Sequence, residues 1–222
     1  MSSNLKYTTM AFHMKVGKRL ISVPKLEFGP GQVVGIAGKN GAGKTVLLRH
    51  WMGWIENSSM ERHGLWLDLS KPIGWLNTRR EPFADLWVED VVALGIQGEF
   101  DPQAFESVLS EMDLQGIRNQ SMNTISDGEW MRMMMARVMM QKPSIILMDE
   151  PTAHLDFYYK GYWAQWVRIL SEKGVTVICA SHDEAWLKTT DQIVGVNDGS
   201  VHLYSSKDFT FESLKNVHDS IK

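Results

Sequence analysis

The chain has 222 residues, 44% of them hydrophobic, and a formal net charge of −3. This length suits one α/β domain with a buried core and is short for two independent domains. The sequence has no basic tract of the kind that nucleic-acid binding needs, and no apolar run approaches the roughly 20 residues of a membrane span. We therefore expect a cytoplasmic chain without a nucleic-acid partner, in which the single cysteine, Cys179, is buried and forms no disulfide within the chain.

The apolar runs predict a mainly parallel sheet. Runs rich in β-branched residues alternate with helical patterns, as in α/β proteins whose sheet is covered on both faces. Ahead of the first run, residues 20–28 and the turn at 29–31 predict a small antiparallel sheet. Residues 64–69 alternate apolar and polar side chains and predict another edge strand. The runs predicted to form the core sheet are residues 32–37, 145–148, 175–180 and 193–196.

Helical patterns predict a helical subdomain at approximately residues 79–140, inserted in a single domain of residues 1–222. Inside it, Asp101 as N-cap and Pro102 at the first helical position mark the start of one helix. Further along the chain, a long helix is predicted over residues 157–173, and a hairpin turn at residues 197–200. A closing helix is predicted over residues 210–221.

The run GKNGAGKT satisfies every fixed position of a phosphate-binding loop, GxxxxGK[ST]. It follows an apolar run and leads into a helical pattern, and this strand, loop and helix order is the context that the motif requires. Backbone N–H groups turned inward and the start of a helix both favour phosphate. Lys44 is predicted to neutralise the β and γ phosphates, and the Thr45 hydroxyl to ligate Mg²⁺. The predicted nucleotide-binding residues here are Gly38, Lys39, Asn40, Gly41, Ala42, Gly43, Lys44 and Thr45.

Two later strands are predicted to deliver polar side chains to the same site. The run 145–148 ends in Asp149 and Glu150, and we predict that Asp149 holds Mg²⁺ through water while Glu150 is the general base. The alternative, a solvated acidic turn, is weaker beside a matching phosphate loop. The run 175–180 is followed by Ser181 and His182, and His182 is predicted to contact the γ phosphate and to be catalytic together with Glu150. A lone histidine after a strand is more often structural or solvated, so this prediction depends on the other motifs of the chain.

Residues 125–129, ISDGE, lie just upstream of the acidic strand, and here the chain resembles ATP-binding cassette (ABC) ATPases. The signature of that family is LSGGQ; this version keeps the serine and the second glycine but has Asp127 and Glu129 at the other two positions. The ordered set GKNGAGKT, ISDGE, ILMDEPTAHLD and ASHD extends the resemblance over residues 38–183. The resemblance implies a P-loop NTPase core with a mainly parallel sheet, a small antiparallel β subdomain and a helical subdomain, binding ATP and Mg²⁺.

The resemblance also implies that the site is completed by a second cassette. Ser126 and the backbone around Gly128, at the start of a helix, would bind the γ phosphate of ATP held by another copy. Hydrolysis would then need a homodimer or a paired related cassette. Asp127 places a carboxylate near that phosphate, which is unfavourable unless the side chain points away.

Two positions of the family pattern stay open. The glutamine loop of the family corresponds to residues 74–78, where Asn77 or Thr78 stands for the glutamine. The aromatic residue that stacks on adenine corresponds to Val16, with Phe12 and His13 as nearby alternatives.

The leading hypothesis for function is the ATP-hydrolysing subunit of a membrane transporter, peripheral on the cytoplasmic face and paired with separate transmembrane subunits. The segment through Gly95 resembles metal-chelate importer cassettes, but it does not identify the substrate. A soluble cassette, such as an iron–sulfur assembly type, is the alternative, and a small-molecule kinase is a third and weaker one. Residues 78–87, with Phe83 and Trp87, are predicted to dock a partner.

Overall fold

The structure is a computed structural model and describes residues 7–55, 72–76, 80, 85–152, 157–197 and 199–214. The strands are β1 (Tyr7–Thr8), β2 (Phe12–Val16), β3 (Arg19–Val23), β4 (Glu27–Phe28), β5 (Val33–Ala37), β6 (Ile73–Leu76), β7 (Ile145–Asp149), β8 (Thr176–Ala180), β9 (Gln192–Asn197) and β10 (Ser200–Tyr204). The helices are α1 (Lys44–Trp51), α2 (Val88–Ala93), α3 (Pro102–Glu111), α4 (Asp127–Met140), α5 (Phe157–Glu172) and α6 (Glu184–Leu187), with a short 3₁₀ helix at Gln115–Ile117.

Eight of the described strands form one sheet in the order β2-β3-β10-β9-β5-β8-β7-β6. The neighbours from β9 to β6 all pair in parallel, whereas β10 pairs antiparallel with β9 and β2 pairs antiparallel with β3. The predicted α/β class with a mainly parallel sheet is therefore confirmed. All four predicted core strands are present, and they are the adjacent strands β9, β5, β8 and β7.

These four strands read as continuous apolar runs because the sheet is covered on both faces. Successive residues of β5 belong to different groups of buried side chains: Val34 and Ile36 pack with α1, and Val33 packs with the group that includes α4 and α5. Cys179 in β8 is buried, as predicted. Helix α4 is buried over most of its surface, and burial of a methionine side chain contributes up to about 2 kcal/mol. Its buried methionines are Met131, Met133, Met134, Met135 and Met140.

Parallel pairing places the carboxyl ends of β5, β7 and β8 at one edge of the sheet. Asp149 is in register with Ala180, and Ile36 is also in register with Ala180. The backbone continues these pairings past the strand ends, since Glu150 N–H donates to the Ala180 carbonyl at 3.0 Å and Ser181 N–H donates to the Ile36 carbonyl at 3.0 Å. The residues that follow the three strands therefore lie side by side.

The structure differs from the predictions at two places. The single strand predicted over 20–28 is divided, because Pro24 has no N–H to donate and β4 leaves the large sheet to pair antiparallel with β1. The helix predicted over 210–221 is wrong in its described part, where residues 211–214 form turns. There Ser213 Oγ donates to the Thr210 carbonyl at 2.6 Å, a side-chain bond that competes with helix formation.

The other predicted elements agree where they are described. The long helix is α5, followed by Gly174 at a φ of +86°. The hairpin turn joins β9 to β10, with Asn197 opposite Ser200. The predicted strand at 64–69 and the rest of the closing helix lie outside the described residues.

No helix in the described ranges combines the length and the apolar character that crossing a bilayer requires.

Candidate nucleotide-binding site

The phosphate loop joins β5 to α1 and depends on glycine at two positions. Gly43 has a φ of +111°, and a Cβ there would lie 2.8 Å from Val16 Cγ2. Gly38 has no room for a side chain either, since a Cβ would lie 2.7 Å from the Val196 carbonyl oxygen. Helix α1 begins directly after Gly43 without a side-chain cap, so its first N–H groups face the loop rather than a capping residue.

Lys44 is the first residue of α1, and its side chain is only 7% exposed. The ammonium donates to the Gly38 carbonyl at 2.8 Å and lies 3.4 Å from Glu150 Oε1. The loop is thus closed on itself through one lysine, which also contacts the acidic end of β7.

Thr45 and Asp149 meet beneath the loop. The Thr45 hydroxyl donates to Asp149 Oδ2 at 2.7 Å. A hydroxyl and a carboxylate are the oxygen donors that Mg²⁺ prefers, and Mg²⁺ usually completes its shell with phosphate oxygens and water. Within the described residues no three His, Cys, Asp or Glu side chains come together as a metal cluster.

Glu150 follows β7 in the left-handed backbone region, with a φ of +50°. This conformation is uncommon for a residue other than glycine and turns the side chain back toward the loop. Glu150 Oε2 lies 2.8 Å from His182 Nδ1, so one carboxylate contacts both Lys44 and His182. The His182 side chain is 62% exposed and follows β8.

A cavity of about 460 Å³ opens above these residues. Its described lining consists of residues of the phosphate loop, residues that follow β7 and β8, and Phe211 from the segment after β10. The lining residues are Gly38, Lys39, Asn40, Glu150, His182 and Phe211.

Cys179 lies behind the carboxylates and takes no part in the chemistry. Burial raises the pKa of its thiol well above the usual value, and the charges of Glu150 and Asp149 raise it further. The side chain therefore stays a neutral thiol.

Residues 125–129, the Ser126 turn, lie at the start of α4, outside the described lining of the cavity. Ser126 is the N-cap residue, and its Oγ accepts from Glu129 N–H at 3.3 Å. In return, Glu129 Oε2 accepts from both the N–H and the hydroxyl of Ser126, each at 2.7 Å. This is a capping box, and the bonds from Ser126 lower the pKa of the Glu129 carboxyl. Sequence reasoning missed this role of Glu129, although S-x-x-E is its signal.

Asp127 faces an arginine that sequence reasoning did not single out for this role. Its Oδ1 lies 3.1 Å from Arg80 Nε, and Arg80 also donates to the Ile125 carbonyl. The carboxylate next to Ser126 is therefore paired in the structure. No sequence pattern links residue 80 to residue 127.

The remaining predicted positions have different outcomes. Phe12 is 7% exposed and packs against His50, with ring centroids 5.3 Å apart, so it belongs to the core. Val16 lies against Gly43. Arg19 donates to the Gly41 carbonyl, a contact with the loop that sequence reasoning missed. Both candidates for the glutamine loop, residues 77 and 78, and the residues 153–156 after the acidic strand lie outside the described residues.

Comparisons with known proteins agree on one family. Residues 22–153 match the model of the ABC transporter family. The chain is 30% identical to the hemin import ATP-binding protein HmuV of Rhodopseudomonas palustris, over 90% of this chain and 82% of that protein. It is 26% identical to the zinc import ATP-binding protein ZnuC of Halorhodospira halophila, over 83% of this chain and 71% of that protein. A solved structure described as a metal-chelate type ABC transporter, inward-facing, is similar with a TM-score of 0.81 and 17% identity, over 95% of this chain and 87% of that one.

A P-loop fold that brings a lysine, a threonine and two strand-end carboxylates to one sheet edge is typical of a P-loop NTPase. The chain belongs to the ABC transporter family, in which it is an ATP-binding and ATP-hydrolysing subunit that powers a membrane transporter. The predictions of the family and of ATPase activity are confirmed.

Proposed function

We propose that two copies of this cassette close over two ATP molecules, and that closure drives transport through separate membrane subunits. Each ATP is held by the phosphate loop of one copy and by the Ser126 turn of the other. The observation that carries the proposal is that the phosphate loop and the Ser126 turn lie apart within one chain. The phosphate loop lines one cavity together with Glu150 and His182, and the described lining of that cavity contains no residue of the Ser126 turn.

Lys44 and the loop backbone bind the β and γ phosphates. The buried ammonium is a charge-assisted donor, and the N–H groups at the start of α1 add further donors. Thr45 and Asp149 would hold Mg²⁺, which fits their oxygen donors and would supply charge neutralisation at the phosphates.

Glu150 is the general base that accepts a proton from the attacking water, and His182 orients it. When His182 Nδ1–H donates to Glu150, Nε2 of a neutral ring carries no proton. For Nε2 of His182 to donate to the γ phosphate, either both ring nitrogens must carry a proton or the His182 ring must leave Glu150.

The helical part of the chain carries the surface that docks a membrane subunit. Trp87 and Leu94 flank α2, seven residues apart and so on one face of the helix, and they are 50% and 59% exposed. Val88, Val91 and Val92, which lie between them in the chain, are buried. An aromatic and an aliphatic side chain on one exposed face suit a protein partner. Phe83, the other aromatic of the predicted docking loop, lies outside the described residues.

The transported substrate is a metal ion or a metal chelate moving inward, with the cassette on the cytoplasmic face of the membrane. The names of the hemin and zinc import relatives support this substrate class. Co-expression with a membrane subunit from a neighbouring gene should give a complex, and cells that contain it should accumulate hemin or zinc. Trp87→Ser should weaken the binding between the two subunits. Co-purification with soluble proteins alone would favour the iron–sulfur assembly type instead.

Pairing is tested with Glu150→Gln, which keeps the shape of the side chain but removes the base. This variant should bind ATP, hydrolyse it about 10²- to 10⁴-fold more slowly and form a dimer in ATP, as measured by light scattering during gel filtration. Lys44→Ala in the same background is the control and should remain monomeric. A Glu150→Gln chain that holds ATP but stays monomeric would refute the pairing.

A further inference from the structure

We infer that Arg80 is a positioning residue for ATP hydrolysis, which neutralises Asp127 and so keeps the Ser126 turn able to accept a phosphate. The inference rests on the proposed function, because the phosphate concerned belongs to the ATP of the second copy.

Arg80 contacts two residues of the Ser126 turn and the residue that follows the turn. Its Nε lies 3.1 Å from Asp127 Oδ1, and its terminal nitrogen donates to the Ile125 carbonyl. Its guanidinium carbon lies 5.4 Å from the centre of the Trp130 ring, at the distance of a cation–π contact. In the sequence, Ile125 precedes Ser126, Asp127 lies between Ser126 and Gly128, and Trp130 follows Gly128. One arginine side chain therefore contacts the chain on both sides of Ser126 and Gly128.

The need for a cation follows from the two carboxylates in the turn. Glu129 already accepts from Ser126 and is engaged in the capping box. Asp127 lies in the first turn of α4, and its side chain is 70% exposed. A carboxylate there is attracted by the same helix N-terminus that would attract phosphate, and it would repel that phosphate. Pairing with the Arg80 guanidinium reduces this repulsion and directs the Asp127 carboxylate toward Arg80.

Arg80 also links two parts of the molecule. It follows β6, the last strand of the sheet, after three residues, whereas its partners lie at the start of α4. The contact therefore joins a residue shortly after β6 to the segment that is predicted to meet the second ATP.

A double-mutant cycle tests the inference. Arg80→Ala should lower steady-state ATP hydrolysis about tenfold, within the range for residues in direct contact, and leave ATP binding by a single chain unchanged. In an Asp127→Asn background, which has no carboxylate to neutralise, the same Arg80→Ala change should lower hydrolysis less than about twofold. Lys173→Ala removes an exposed ion pair with Glu111 elsewhere and is the matched control, expected to hydrolyse ATP at the wild-type rate.

Equal losses from Arg80→Ala in both backgrounds would overturn the inference, because they would show that Arg80 acts only through Ile125 and Trp130. If Arg80→Ala does not fold, Arg80→Lys provides the test. It keeps a cation for Asp127 and should retain hydrolysis within about threefold of wild type. The inference would also be overturned if Arg80→Lys lowered ATP hydrolysis and the same change lowered it equally in the Asp127→Asn background.

The pairing assay separates this inference from the proposed function. If Glu150→Gln chains fail to pair in ATP, the proposed function and the inference fail together. If they pair and the cycle shows no coupling between Arg80 and Asp127, the inference alone fails.

Discussion

The phosphate loop and the Ser126 turn are both helix starts proposed to bind phosphate, but different parts of the chain hold them in place. The loop follows the central strand β5, and its neighbours Asp149, Glu150 and His182 are brought to it by parallel pairing of β7 and β8. The Ser126 turn is held mainly by side chains, namely Glu129 and Arg80. Backbone pairing does not depend on the identity of the side chains, whereas the geometry of the Ser126 turn depends on the particular side chains that hold it.

Removal of the loop lysine should have the largest effect. Lys44→Ala should weaken ATP binding by roughly 100-fold or more, because the buried ammonium is a charge-assisted donor to the phosphates. Isothermal titration with MgATP is the measurement, and Lys188→Ala, which removes an exposed pair with Glu184, is the control. Unchanged affinity in Lys44→Ala would show that this region does not bind the phosphates.

A bulky change in the Ser126 turn should affect turnover but not binding. Ser126→Arg should leave ATP affinity of a single chain within about twofold and lower hydrolysis about 100-fold, the effect of losing one donor to developing charge. A Ser126→Arg chain with wild-type hydrolysis would show that the turn has no part in the reaction.

Mixing variants sharpens the comparison between the two regions. A Lys44→Ala chain paired with a Ser126→Arg chain carries both changes at one shared site and leaves the other site intact. Each mixed dimer should hydrolyse ATP at about half the rate of a wild-type dimer, because one of its two sites is intact. The rate of the whole mixture is this value multiplied by the fraction of dimers that contain one chain of each variant. Activity no greater than the sum of the two separate variants would contradict independent shared sites.

The smallest effect is expected at Glu129, and it depends on pH. The lowered pKa of Glu129 means that the ionised carboxylate stabilises the folded state above its usual pKa, and that this stability is lost as the pH falls through the lowered value. Glu129→Gln can still accept from Ser126 N–H, so it should cost less than about 1 kcal/mol at neutral pH and lose this acid dependence. Urea unfolding of both proteins between pH 3 and 7 measures it. An identical pH dependence in the variant would assign the effect to other carboxyl groups.

The sequence could predict that the phosphate loop and the ends of β7 and β8 lie at one sheet edge, because motif and topology agree there. A buried parallel strand is a continuous apolar run, so β5, β7 and β8 could be located, and their carboxyl ends had to meet. The contact of Lys44 with Glu150 was not predicted, since it depends on the left-handed backbone at Glu150. The pairing of Arg80 with Asp127 could not be predicted either, because 47 positions separate the two residues and no sequence pattern links them. The turns at residues 211–214 show that local serine and threonine bonds can override a helical apolar pattern.

The burial of Lys44 has a consequence for the thermodynamics of nucleotide binding. The ammonium has lost nearly all of its hydration before any nucleotide arrives, and its charge is balanced by Glu150 at 3.4 Å. Binding of ATP is then an exchange of counterions, in which phosphate takes the place of a carboxylate, and little water has to be removed from the lysine. The same exchange separates Glu150 Oε1 from its cation, so the arrival of the substrate leaves this oxygen free to accept from the water that Glu150 is proposed to activate.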